Sequence, residues 1–260
     1  MSAVRIAAIQ HDISWEDRDA TCARLEPTIA AAAAAGARIV VLAEMFAVGF
    51  SMAPERVAED EGGPTSQWML AQAAHHGIWL YGSVPERSPG SGRPRNVGIL
   101  AVPDGTLHRY AKLHPFTYGG EHEHYDAGSS LVTVTVEGLR VSLFVCYDLR
   151  FADDWWQLAP GTDVYLCCAN WPEVRRTHWQ ALLQARAIEN QAYVVGVNRV
   201  GSGGGLDYCG DSRIVDPLGE ILAAGSRTEA LLVAELDAAH VEAVRRRFRF
   251  LPDRRTYPGA

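Results

Sequence analysis

At 260 residues, with 48% hydrophobic and 21% charged positions, the chain is long and apolar enough to bury a large core, which excludes disorder as its default state. Its net charge of −7 argues against nucleic acid or an anionic membrane surface as the main partner. Cys22, Cys146, Cys167, Cys168 and Cys209 form no Cys-x-x-Cys pair, and an odd set without metal spacing points to free thiols in a reducing, cytoplasmic setting.

Taken in chain order, VRIAAI (4–9) reads as a strand, and residues 1–13 are too short and too broken by Arg5 and Gln10 for a secretory core. A helix is expected over 16–35, stopped by Gly36; its Ala-rich end is too short to span a bilayer. RIVVLA (38–43) is a continuous apolar run, as in a strand covered on both faces. A second helix is expected from Ser66 to His76, closed by Gly77, before a strand over 78–84. Ser88–Pro94 reads as a surface turn. Residues 96–112 form two strands around Pro103-Asp104-Gly105, and 131–148 repeat the design around Glu137-Gly138. Strand 163–170, helix 177–191 and strand 192–198 follow, then a flexible loop at Ser202–Gly205 and a hairpin over 212–225 around Pro217-Leu218-Gly219. A last strand (230–237) precedes a basic helix and tail. Hairpins mixed with strand–helix units predict an α/β protein with large, partly antiparallel sheets, and no linker divides residues 1–260 into two domains.

Three residues sit where chemistry is done. Cys146 ends the strand VSLFV and precedes DLRFADDWW, which reads as a helix start; a helix N-terminus there favours a thiolate. Glu44 follows RIVVLA at a strand's carboxyl end, where open α/β sheets bind ligands. Lys112 also ends a strand, and a lysine beside a reacting carbonyl can donate to a developing oxyanion. Taken singly, each has a structural alternative: a packing thiol, a surface carboxylate, a solvated lysine. The adjacent Cys167–Cys168 pair lies in the apolar run VYLCCA and reads as strand packing. GGEHEHYDAG (119–128) is rich in titratable groups, but His122 and His124 lack metal-ligand spacing.

The ordered set VVLAEMF, YAKLHPF and FVCYDLRF, with ANWPEVRRTHW and GDSRIVDPLGEIL after it, resembles the nitrilase superfamily of carbon–nitrogen hydrolases over nearly the whole chain, the tail FLPDRRTY (250–257) included. Ala43 and Pro115 stand where that superfamily often has proline and leucine, and neither carries a reactive group. The resemblance implies a four-layer αββα sandwich with two mixed β-sheets, a homodimer or larger homo-oligomer with the tail from about 238 to 260 at the interface, and a Glu44–Lys112–Cys146 triad working without metal or organic cofactor. It further implies Glu121 as a second glutamate orienting Lys112, with Glu123 as the fallback.

GGEHEHYDAG and ANWPEVRRTHW look most like the omega-amidase branch, whose substrates are terminal amides of 2-oxo acids such as 2-oxoglutaramate. On that reading Glu44 takes the thiol proton, Cys146 forms a thioester, and Lys112 with the backbone N–H of Tyr147 holds the oxyanion. An anionic substrate needs a local cation in an acidic protein. Arg175 and Arg176 follow the stiff Trp171-Pro172 turn and are candidates for a carboxylate clamp. Phe50, Tyr118, His122 and Trp171 are candidate walls, and Arg150 is expected to fix the elbow through Asp148 or another carboxylate. A nitrile or N-carbamoyl substrate on the same chemistry, or a silent binding scaffold, are the rival readings.

Overall fold

The structure is a computed structural model, and it describes residues 3–87, 90 and 92–255. Ser88, Pro89 and Ser91 of the expected turn, and Thr256 to Ala260 of the tail, lie outside the described residues.

Two mixed sheets carry the fold. The first runs in the order Ala230–Leu236, Val4–Gln10, Ile39–Val41, Trp79–Arg87, Arg95–Ala101, Leu107–Ala111, with Glu59–Asp60 added beside Trp79–Arg87. Its three central strands are parallel and its flanks antiparallel. The second runs Ile221–Ala224, Arg213–Val215, Tyr193–Asn198, Val164–Ala169, Leu139–Val145, Thr133–Val136, again with a parallel centre.

Period-two alternation sets the layers. Ile6, Ala8, Ile39 and Val41 of the first sheet share one buried core with Val141, Leu143 and Val145 of the second. Across that seam the Tyr81 hydroxyl donates to the Phe144 carbonyl at 3.0 Å. The alternate residues Ala7, Ile9, Val40 and Leu42 turn to the other side, where they meet Leu25 and Ile29 of helix Arg18–Ala34 and Met69 and Ala73 of helix Pro64–His76. On the far side of the second sheet Phe144 stacks on Trp155 of helix Ala152–Leu158 at 4.4 Å, and Trp179 and Leu183 of helix Arg176–Asn190 complete the layer. Helix, sheet, sheet, helix is therefore the order of layers, as expected. Cys167 and Cys168 are both fully buried in this packing.

Two expectations fail locally. Cys146 opens a five-residue 3-10 turn, Cys146–Arg150, and the α-helix starts only at Ala152. Ser202–Gly205 is not a loose loop but the tip of a hairpin: Ser202 and Gly203 end strand Val200–Gly203, and Gly204-Gly205 turn the chain into Leu206–Cys209. Gly203 and Gly204 pack on Trp15: a Cβ at Gly204 would stand 2.8 Å from that ring. The basic helix Ala238–Arg247 docks on its own chain, where Arg245 donates to the carbonyls of Ala159, Thr162 and Asn190. No helix among the described residues is long and apolar enough to cross a membrane.

Candidate active site

The parallel centres of both sheets end on the same side, and their carboxyl ends bring the site together. Val145 is the last strand residue, and Cys146 turns the chain with φ at +46°, a left-handed conformation that costs a non-glycine residue about 1–2 kcal/mol. Asp148 holds this elbow. Its carboxylate accepts from the Tyr110 hydroxyl at 2.8 Å, the Val145 N–H at 3.1 Å and the His114 N–H at 3.0 Å. Burial raises the Asp148 pKa to about 6 despite these donors. Met45, directly after Glu44, is a second left-handed residue at φ +38°, and its N–H donates to the Ser83 hydroxyl at 2.8 Å.

Glu44, Lys112 and Glu121 are buried together. The Lys112 ammonium donates to Glu44 Oε1 at 2.9 Å and to Glu121 Oε2 at 2.7 Å. Asn96 donates from one amide nitrogen to Glu44 Oε1 at 2.8 Å and Glu121 Oε1 at 3.1 Å, and the Asn170 N–H fills Glu44 Oε2 at 2.8 Å. Burial works against charge on Lys112, but Glu121 and Glu44 outweigh it and hold the ammonium pKa well above its usual value. Burial raises Glu121, against the pull of Lys112. Gly128 lets the chain pass this close: its N–H donates to the Lys112 carbonyl at 2.8 Å, and a Cβ there would sit 2.1 Å from the Ala111 oxygen. Of the two glutamates, Glu121 is buried against Lys112, while the Glu123 side chain stands largely in solvent.

Burial, with the nearby Glu44 charge added, pushes the Cys146 thiol well above its ordinary pKa, and Lys112 only partly opposes this. The expected helix N-terminus directly after Cys146 is corrected. A short 3-10 turn follows the cysteine, so no α-helix dipole favours a thiolate there. A thiol beside a carboxylate can give up its proton as it attacks, which is what a general base requires.

Above the thiol lies a cavity of about 150 Å³ whose walls include Phe50, Phe116, Tyr147, Trp171, Leu206 and Tyr208, with Arg150 and Arg175 beside them. Trp171 is buried, and its indole N–H donates to the Arg175 carbonyl at 2.9 Å. The Arg175 guanidinium lies over the Phe116 ring at 5.2 Å and the Tyr118 ring at 5.9 Å.

Of the sequence-based candidates, Glu44, Lys112, Cys146 and Glu121 converge, and Tyr147, Phe50, Trp171 and Arg175 line the cavity. Tyr118 is largely exposed and meets the cavity through Arg175 and the Phe116 ring rather than lining it. His122 is not among the lining residues, and its half-exposed ring lies 4.0 Å from Glu123. Arg176 is corrected as a clamp: both its Nε and Nη2 bind the Asp211 carboxylate at 2.9 Å, so its charge is already matched. Arg150 is corrected in the other direction. It has no carboxylate partner among the described residues and faces the cavity over Trp171, 4.7 Å from the ring. The Arg176→Ala variant should lower Tm, because it strips a buried aspartate of its partner, while leaving KM for small amides near the parent value; a large KM change in steady-state assays would return Arg176 to the site.

Asn96 and Asn170 were missed. Asn96 was readable in principle, because the 95–101 and 107–111 strands pair so that the Asn96 carbonyl accepts from the Lys112 N–H at 2.9 Å. Asn170 had no such signal; it meets Glu44 across 126 residues of sequence.

The carbon–nitrogen hydrolase family model matches residues 5–246. The chain is 40% identical to the omega-amidase YafV of Escherichia coli strain K12 over 95% of both chains. It is 34% identical to the 2-oxoglutaramate amidase of Bacillus subtilis strain 168, over 80% of this chain and 82% of that one. Among solved structures it superposes on XC1258 of Xanthomonas campestris, a CN-hydrolase superfamily protein with an arsenic adduct in its active site, with a TM-score of 0.92, 36% identity and full coverage of both chains.

Proposed function

The chain belongs to the carbon–nitrogen hydrolase family, and from that premise we propose that it hydrolyses the terminal amide of a small carboxylic acid, as an omega-amidase does. The observation that carries this reading is Lys112, held between two buried glutamates near the Cys146 thiol, below a mostly apolar cavity whose two arginines have no acid partner among the described residues. Relatives named omega-amidase and 2-oxoglutaramate amidase support the same substrate class.

In this reading Cys146 Sγ bonds to the amide carbon while its proton passes to Glu44. The carbonyl oxygen becomes an oxyanion held by Lys112 and the Tyr147 N–H, worth about 3 kcal/mol per donor. The C–N bond then breaks, Glu44 returns the proton to nitrogen, and ammonia leaves a thioester. Water attacks the thioester, giving a proton to Glu44, and the thiol recovers it as the acid departs. Glu121 positions Lys112, and Phe50 and Trp171 shape the approach. Lys112 supplies the positive charge the oxyanion needs, so activity should survive prolonged EDTA treatment; a loss restored by zinc would revive residues 119–128 as a metal site.

Arg175 binds the substrate's carboxylate. A bidentate, partly desolvated contact of that kind is worth roughly 1.5–3 kcal/mol. Arg175→Ala should therefore raise KM for a dicarboxylic monoamide by about one to two orders of magnitude. Its kcat should change less, because ground and transition states share this contact. The deciding assay is ammonia release from a panel of monoamides, neutral amides, nitriles and N-carbamoyl compounds. Preference for neutral amides of equal length would leave only the family chemistry standing. Five buried free thiols fit a cytoplasmic, reducing compartment, and exposed Ile188, Leu218, Ile221, Leu222 and Phe248 fit a homodimer, which size-exclusion chromatography with light scattering tests.

A further inference from the structure

Several arginines elsewhere are matched to acids, Arg140 to Asp163, Arg176 to Asp211, Arg186 to Glu189 and Arg199 to Asp12, while Arg87 and Arg245 are held by backbone carbonyls. The two in the cavity have no such acid among the described residues. Among the described residues, Arg175 has only the rings of Phe116 and Tyr118 beneath its guanidinium. Arg150 rests on the Trp171 ring at 4.7 Å and lies 6.0 Å from the Tyr147 ring, and its Nη2 reaches His178 Nδ1 at 3.2 Å. Two cations placed in one small apolar cavity repel each other, and apart from the His178 nitrogen beside Arg150 they meet only ring faces among the described residues. Partial burial, and to a lesser extent the Arg175 charge, hold the Arg150 pKa below its usual value, and the guanidinium stays charged. That arrangement is unfavourable when empty and favourable once an anion enters.

Arg150 is also tied to the chemistry. It closes the 3-10 turn that Cys146 opens, four residues after the nucleophile, and its Tyr147 neighbour provides the proposed oxyanion N–H. Trp171, which it stacks on, is the residue that fastens the Arg175 backbone. The aromatic wall therefore sets both guanidinium groups relative to the thiol.

We propose that Arg150 is a second specificity-determining cation for this substrate class: Arg175 binds the carboxylate of a 2-oxo acid omega-amide, and Arg150 takes the oxo oxygen beside it. This rests on the omega-amidase reading above and extends it by naming the group that reads the far end. A lone carboxylate satisfies one fork with two parallel hydrogen bonds; the adjacent oxo oxygen gives the second arginine an acceptor of its own.

The test is steady-state ammonia release by the parent, Arg150→Gln and Arg150→Lys on three amides of equal length: a 2-oxo acid omega-amide, its analogue lacking the oxo group, and a neutral amide. The quantity read is each variant's preference, the ratio of kcat/KM values between substrates, because a merely structural role lowers all three together. Arg150→Gln is expected to cut the preference for the 2-oxo acid over the neutral amide by about ten- to a hundredfold, the size of one charged hydrogen-bond pair. Arg150→Lys keeps the charge but loses the planar fork and the stack, and should hold anionic over neutral while losing preference for the oxo group; it also serves if the glutamine variant fails to fold. An unchanged ratio, or an equal fall on all three amides, overturns the assignment of Arg150 while the omega-amidase reading survives. A parent enzyme without preference for anionic amides overturns that reading and the inference with it.

Discussion

Cys146→Ala is expected to lower turnover of any amide substrate by at least about 10³-fold, because Cys146 is the only thiol among the described residues lining the cavity. The variant should still fold. Alanine keeps the Cβ and meets the same cost at φ +46°, and the elbow is held by Asp148 rather than by sulfur. Intact mass spectrometry of the parent, quenched in acid during turnover, should show an acyl adduct with the mass of substrate less ammonia; the variant should show none. Cys22→Ala and Cys209→Ala should remain active. Cys22 packs in the helix layer of the first sheet, and Cys209 leans on Asp211 at 3.3 Å. Full turnover by Cys146→Ala, or an adduct on another cysteine, would remove the nucleophile assignment.

Replacing Lys112 should cost both activity and stability. Lys112→Met leaves Glu44 and Glu121 buried with no cation between them, and breaking a buried pair in this way typically costs about 3–5 kcal/mol. Loss of an oxyanion donor should lower kcat by about 10²–10³-fold in addition. The pH dependence carries a sign that separates this from simple loss of packing. Burial already raises Glu121, and Lys112 is the charge that pulls it back. Without Lys112 the folded-state pKa of Glu121 rises further above its unfolded value. A group shifted in that direction contributes stability below its unfolded pKa and loses it as pH rises through the folded one. The stability gap between parent and variant in urea should therefore be small at acid pH and widen toward neutrality. A gap constant with pH would mean that Lys112 acts by packing alone, and an active variant would take it out of the mechanism.

Local signals were enough to determine much of this protein. Alternating apolar residues, Gly36 and Gly77 after their helices, and the turns at 103–105 and 137–138 specify the strands, the helices and most of their ends, because each depends on neighbours within a few residues. Three strand-end residues of the right chemical types, in an order that resembles a known superfamily, were likewise visible in the chain itself. What only the tertiary structure decided are relations across long sequence distances. Glu121 rather than Glu123 reaches Lys112 because one side of a four-residue helix, Glu121–His124, is buried. Asn170 closes on Glu44 because two separate sheets end at one place. The fate of neighbouring arginines is the clearest case. Arg175 and Arg176 are adjacent and alike in sequence, yet one faces the cavity and the other is bound to Asp211, 35 residues on. A guanidinium's role depends on where its acid partner falls, and folding of the intervening chain sets that position.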